Sequence, residues 1–295
     1  MILIAGSSNL DFVVRAHHIP APGETVLGQD FQTFPGGKGA NQAVACARAG
    51  GAVTHFLTGL GADAFAGPLE ASLAGAGVHL HAVRPEGQPT GTAFICVSEA
   101  GENAITVAPG ANSSLRPAHL PPLDGFSHLL MQLEIPLDTV QAYAHAAHAA
   151  GVTVVLNAAP ARALPQALLD DVDVLIVNEG ELAALTGPVG DTAQRVALLA
   201  APTVVVTLGA RGCVARHQGV WLEQPAFAVD VVDSTGAGDT FCGALLAAWS
   251  AGADMATALR RASAAGALAC TRMGAQSSVP GVAEVDQFLL NHPPL

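Results

Sequence analysis

Positive charge is scarce in this chain. Lys and Arg together number 12 against 24 Asp and Glu in 295 residues, a formal net charge of −12. That balance argues against nucleic acid or an anionic membrane as the main partner. Any phosphate must then be held locally, by amides, a helix end, a metal or a few cations. Long apolar runs are missing too: none reaches membrane-spanning length, and Met1 to Gly6 carries neither a basic leader nor a signal-peptide core. The five cysteines are odd in number, widely spaced and contain no Cys-x-x-Cys pair, so neither a disulfide framework nor a zinc site is indicated. A soluble protein of the reducing cytoplasm is the expectation. Two phosphate-binding signatures are also absent. Lys38 is followed by Gly39 rather than Ser or Thr, which rules out a Walker A loop, and the spacing G-x-G-x-x-G does not occur around it.

What is present is apolar bulk, 51% of the chain, enough for a large core, with no composition break to mark a boundary. Ile2 to Ala5 reads as a buried parallel strand opening into Gly6-Ser7-Ser8-Asn9. Asn9 and Asp11, two apart, share a face of extended backbone and suit vicinal sugar hydroxyls, though ordinary turn residues would look the same. Irregular alternation up to Phe34 predicts short antiparallel strands, and 92–97 with 103–107 predicts a hairpin; together they make a small separate sheet, a lid over a cleft. Between them, Pro35-Gly36-Gly37-Lys38-Gly39-Ala40-Asn41-Gln42 reads as a loop before a helix over 43–49, with Lys38 and Asn41 able to reach a ligand. His79 and His81 share a strand face, which reads as solvated histidines rather than half a metal site. From residue 127 a regular βα rhythm delivers Glu134, Asn157, Asn178 with Glu181, and Thr207 with Gly209 to one edge of a sheet, where α/β folds bind ligands.

The stretch Asp233-Ser234-Thr235-Gly236-Ala237-Gly238-Asp239-Thr240 carries the sharpest chemistry. Small residues at 236–238 let backbone N–H groups converge on an anion, and an apolar run after Thr240 predicts a helix start. A carboxylate beside a phosphate is wrong for binding alone, so Asp239 reads as a base for the attacking hydroxyl. A glycine-rich turn with Asp239 as helix N-cap is the competing reading of the same residues.

The early Gly-Gly-Lys-Gly-Ala-Asn run and the late Asp-Ser-Thr-Gly-Ala-Gly-Asp run resemble the two signatures of the ribokinase family of sugar kinases, in order and in spacing. The likeness extends through 131–134, 157–161, 207–212 and 271–276. It implies a ribokinase-like α/β fold: a doubly wound, mostly parallel sheet flanked by helices, as one domain with lid strands from about 11–35 and 90–108. It further implies transfer of phosphate from ATP to the 5-hydroxyl of D-ribose, with Asp239 as base and Gly236, Ala237 and Gly238 as the anion hole. Asn9, Asp11, Gly37, Lys38, Asn41 and Glu134 match positions that hold the sugar. Asn178, Thr207, Gly209, Arg211, Gly212, Gly238 and Ser263 match the nucleotide side, and Glu181 an indirect Mg²⁺ role. Asp233, Thr235, Ala269, Arg272, Gly274 and Ser278 match a K⁺ site, and pairing through the lid implies a homodimer. Another sugar or nucleoside kinase of the family, a sugar sensor and an interaction module are the rival readings.

Overall fold

The computed structural model describes residues 1–293. The strands are β1 (Ile2–Ala5), β2 (Asn9–Ala16), β3 (Asp30–Gly36), β4 (Thr54–Gly59), β5 (His79–Val83), β6 (Gly91–Ser98), β7 (Asn103–Ala108), β8 (His128–Met131), β9 (Thr153–Asn157), β10 (Val174–Asn178), β11 (Thr203–Thr207), β12 (Cys213–His217) and β13 (Val220–Gln224). The helices are α1 (Lys38–Arg48), α2 (Ala66–Gly75), α3 (Leu137–Ala149), α4 (Gln166–Leu169), α5 (Glu179–Thr186), α6 (Thr192–Ala197), α7 (Ala237–Ser250), α8 (Met255–Ala269) and α9 (Val282–Asn291).

β1 is apolar throughout because both of its faces are covered. Ile2 and Ile4 point into a core built with α1, α7 and α8, whereas Leu3 and Ala5 point into a second core on α3. This two-sided burial repeats across a nine-stranded sheet of order β13-β12-β11-β10-β9-β8-β1-β4-β5. From β5 to β11 all neighbours are parallel, and the β12–β13 hairpin closes the far edge antiparallel. The chain runs outward from β1 through β4 and β5, then returns to the other side of β1 at β8. Beyond the C-terminal ends of β1 and β8 lies the crevice that such a reversal leaves open.

A second sheet, of order β3-β2-β6-β7, stands over that crevice. The two predicted strand pairs are not separate hairpins side by side: β2 and β6 pair in parallel along their whole length and fuse them. Both helix starts near the glycine motifs fall earlier than expected. α1 begins at Lys38 and α7 at Ala237, so residues read as loop form first helical turns. Small residues let these two helices touch: a Cβ on Gly243 would lie 2.6 Å from both the Cys46 nitrogen and the Gln42 carbonyl oxygen. Replacing Gly243 with alanine is expected to force α1 and α7 apart and cost about 1–3 kcal/mol, read as a shift in chemical denaturation midpoint.

Candidate active site

The two glycine motifs are two helix N-termini facing each other. Gly37 (φ 89°) precedes α1 and Gly236 (φ 73°) precedes α7, both in backbone conformations that a side chain would strain. At α1 the first amides are already used: Lys38 N–H donates to Glu134 Oε2 at 3.2 Å, and Ala40 N–H to the Ser7 carbonyl at 2.9 Å. At α7 no side chain caps the turn; Ala237 N–H donates to the Ser234 carbonyl at 3.2 Å, which leaves the amides of Gly236 and Gly238 to meet an anion. Asp239 lies inside this first turn, one turn too late to be the N-cap, which removes the capped-turn reading. It is buried, and its carboxylate is gripped from α1: Asn41 Nδ2 donates to Oδ2 and Gln42 Nε2 to Oδ1, each at 2.9 Å.

Around it the structure gathers Asn9, Asp11, Gly37, Lys38, Asn41 and Glu134. Asn9 is buried, its Oδ1 accepting from Asn112 Nδ2 at 2.9 Å, which leaves its own amide hydrogens for a ligand. Glu134 accepts from Ser7 Oγ at 2.5 Å through the same oxygen that holds Lys38 N–H, leaving Oε1 free to face outward. Burial, then the nearby charges of Glu134 and Asp239, push the Asp11 carboxyl up to about 7. Attraction by Asp239, opposed by burial and helped by Glu134 and Glu181, raises Lys38 above the usual ammonium range. Lys38 is the only lysine in the chain; the other eleven basic side chains are arginines. A compact ammonium flanked by glycines fits between carboxylates where a guanidinium fork would not.

On the far side of Gly238 opens a cleft of about 830 Å³ walled by the ends of β10 and β11, by 226–229 and by α8. Asn178, Thr207, Gly209, Gly212, Gly238 and Ser263 all line it. A smaller cavity beside it, bounded by Lys38, Asn157, Glu181 and Asp239, shares Asn178, Thr207 and Gly238 with the larger one. Gly238 therefore stands where the two spaces join, and Asp239 next to it lines the smaller one. Arg211 does not line the cleft; its guanidinium pairs with Glu179 at 2.5 Å on the surface. Asn178 and Glu181 cap each other at the start of α5, with Glu181 Oε2 accepting the Asn178 N–H at 2.8 Å. Burial raises the Glu181 carboxyl, partly offset by that hydrogen bond and by Lys38.

The residues matched to a cation site lie behind the anion cradle. Asp233 Oδ1 accepts from Thr235 N–H (2.9 Å) and Oγ1 (2.7 Å), and Oδ2 from Gly274 N–H at 2.9 Å. Burial opposes its charge, yet the hydrogen bonds from Thr235 and Gly274 outweigh it and hold Asp233 below the usual carboxylate range. Ala269 ends α8, and Ser278 Oγ donates to the Ala275 carbonyl against which Gly236 packs. The side chain of Arg272 turns away to pair with Glu284.

Several buried amides that the sequence did not single out complete the site. Asn112 fastens Ser8 and Asn9 through three hydrogen bonds where the chain passes between the sheets, and its Oδ1 also accepts from Thr58 Oγ1. Gln42, Gln132 and Asn157 form a chain behind Asp239. Their signal was available in Gln42 and Gln132 as uncharged polar residues inside otherwise apolar or small-residue runs. Of the histidines read as solvated, His79 is exposed and His81 half-buried, and both stack on His55, whose Nδ1 lies 2.9 Å from Nε2 of His81. Among the described residues no group of three or more His, Cys, Asp or Glu is arranged to hold a metal ion.

The Asp11 environment sets a pH dependence of stability. Its folded pKa, about 7, stands above the ordinary value of 3.8, so the folded chain loses stability progressively as pH rises from 3.8 to about 7, keeps that penalty above it, and is free of it below 3.8. Asp11→Asn is therefore expected to raise Tm by a few degrees relative to wild type at pH 8, with the gain shrinking toward pH 5; a pH series of thermal melts measures it.

Comparison with known proteins agrees with this geometry. The model of the pfkB family of carbohydrate kinases matches residues 1–281. The chain is 38% identical to the ribokinase of Haemophilus influenzae over 302 aligned positions, covering 98% of each protein. Its structure superposes on that of Thermotoga maritima ribokinase with a TM-score of 0.89 at 36% identity, covering 98% of this chain and 99% of the other. It also matches Arabidopsis thaliana ribokinase, solved with ribose and ATP, with a TM-score of 0.88 at 34% identity over 98% of each chain. A family model matching residues 1–281 and a relative 38% identical over 98% of each protein show that this chain belongs to the pfkB family of carbohydrate kinases.

Proposed function

We propose that the protein transfers the γ-phosphoryl group of ATP to the 5-hydroxyl of D-ribose, giving D-ribose 5-phosphate and ADP. The observation that carries this reading is the position of Asp239, bonded to Asn41 of the polar cluster on one side and, on the other, lining a small cavity that adjoins the long nucleotide-sized cleft through Gly238. A sugar held by Asn9, Asp11, Lys38, Asn41 and Glu134 presents its primary hydroxyl to Asp239. The hydroxyl proton passes to the Asp239 carboxylate, the sugar oxygen forms a bond to the γ-phosphorus, and the bond from that phosphorus to the ADP oxygen breaks. The amides of 236–238 and the α7 dipole meet the charge on the transferred group. Asn178, Thr207, Gly209, Gly212 and Ser263 wall the nucleotide, with Arg211 at its rim. Sugar residues with several buried polar atoms reject an analogue lacking a hydroxyl, because those atoms would be left unpaired.

Lys38 sits among carboxylates, so a triphosphate needs added positive charge. Mg²⁺ supplies it, and Glu181, whose second oxygen is not used in capping Asn178, orients it indirectly. The Asp233 loop would hold K⁺ through an ionised carboxylate and the backbone oxygens of Thr235, Ala269, Arg272, Gly274 and Ser278, of which Ala269 and Ser278 are buried. The protein works in the cytoplasm, consistent with free cysteines throughout the described residues. It acts as a single domain whose second sheet serves as lid. Exposed Phe31 and Phe94 on one face of that sheet, with Ile105 and Val107 on the other, favour a homodimer in which a second copy covers them.

Asp239→Asn is expected to lower kcat by about 10²–10⁴-fold with little change in sugar affinity, and near-normal turnover would remove the base assignment. ATP consumption measured with ribose, 2-deoxyribose and a set of hexoses should show ribose with the highest kcat/KM. Activity should be higher in K⁺ than in Na⁺ once potassium has been removed thoroughly; equal rates in the two salts would sink the cation assignment.

A further inference from the structure

Behind Asp239 lies a chain of side-chain amides that contains no titratable group. Gln132 Nε2 donates to Gln42 Oε1 at 2.6 Å, and Gln42 Nε2 donates both to Asp239 Oδ1 and to Asn157 Oδ1, each at 2.9 Å. Asn157 in turn donates to the Ile176 carbonyl at 3.2 Å. Gln42 and Gln132 are fully buried, where an amide is kept only if its hydrogen bonds matter. The direction of the chain is forced. Asp239 has no proton to give as a carboxylate, so Gln42 must turn its NH₂ toward it; that leaves Gln42 Oε1 facing Gln132, which must also donate. Gln132 meets this demand at a cost, since its own Oε1 is left buried without a partner. The backbone also makes room for it: a Cβ on Gly6 would overlap that oxygen. Three elements, β1, α1 and the end of β8, are thus arranged around the orientation of one amide.

We propose that Gln42, oriented by Gln132, is the positioning residue for Asp239. Asn41 fixes one carboxylate oxygen from the sugar side and Gln42 fixes the other from the protein interior, which sets how the carboxylate is presented to the small cavity it lines. The inference rests on the kinase reading above, but not on which sugar is the substrate.

Kinetics of Gln42→Leu, Gln42→Glu and Gln132→Leu, with the sugar that wild type turns over fastest, test it. Gln42→Leu should lower kcat by about 10- to 100-fold while sugar KM stays within about threefold, and Gln132→Leu should follow in the same direction with a smaller loss. Gln42→Glu is isosteric and places a second carboxyl against Asp239; the pair then shares a proton, and the acid limb of kcat should move up by at least about one pH unit. A Gln42→Glu enzyme with wild-type kcat and an unmoved acid limb overturns the proposal. So does a set of variants in which kcat and KM change together with the pH profile unshifted, the mark of packing alone. Wild-type preference for a sugar other than ribose overturns the substrate assignment and leaves the variant ratios readable, whereas a wild type that phosphorylates no sugar overturns both.

Discussion

A buried carboxylate held by neutral amides is the constraint on which the rest of the structure depends. In the proposed reaction Asp239 comes close to a transferred phosphoryl group, a role that an ion pair occupying the phosphate's place would block. Asn41 and Gln42 satisfy it without adding charge, and both come from α1, almost two hundred residues earlier in the chain. For α1 to reach, it must pack directly on α7. That contact needs Gly243, and the start of α1 needs Gly37 with its first amides occupied by Glu134 and Ser7. Two helix N-termini of the same kind are thereby treated differently: at α1 the first amides are bonded to Glu134 and Ser7, whereas at α7 Ala237 N–H is held by the Ser234 carbonyl and the amides of Gly236 and Gly238 stay open, as the proposed anion site requires.

Charge is distributed with similar economy. Asp11, Glu134, Asp239 and Glu181 surround Lys38, and the mutual repulsion appears as a raised Asp11 and a raised Glu181, both led by burial. A site so rich in carboxylates is costly to the folded chain and useful to a sugar, whose hydroxyls donate well to carboxylates. It is also the reason that a metal fits the nucleotide side, and that a chain otherwise built with arginine keeps one lysine.

Much of this was legible in the sequence because it depends on local chemistry. The apolar runs ending in polar residues at Asn157, Asn178 and Thr207 predict parallel strands delivering groups to one edge, and the sheet has them there. Strand pairs on either side of α1 predict a second sheet. Helix starts were harder: glycine-rich segments look like loops, and only packing against β1 and α8 shows that 38–42 and 237–240 are already helical. Arg211 shows a second dependence on tertiary placement: Ala210 and Gly212 on either side of it line the cleft, while its own side chain pairs with Glu179, itself a residue of the cleft wall.

The sequence by itself determined the two-sided apolar sheet, the pair of glycine motifs and the acid that follows the second, since each is a property of neighbouring residues. Only the tertiary structure decided what those motifs do. Whether a helix terminus is spent on the protein or kept for a ligand depends on which distant groups reach its amides. The orientation of Asp239 depends on Gln42 and Gln132, whose roles exist only once β1, β8, α1 and α7 have converged.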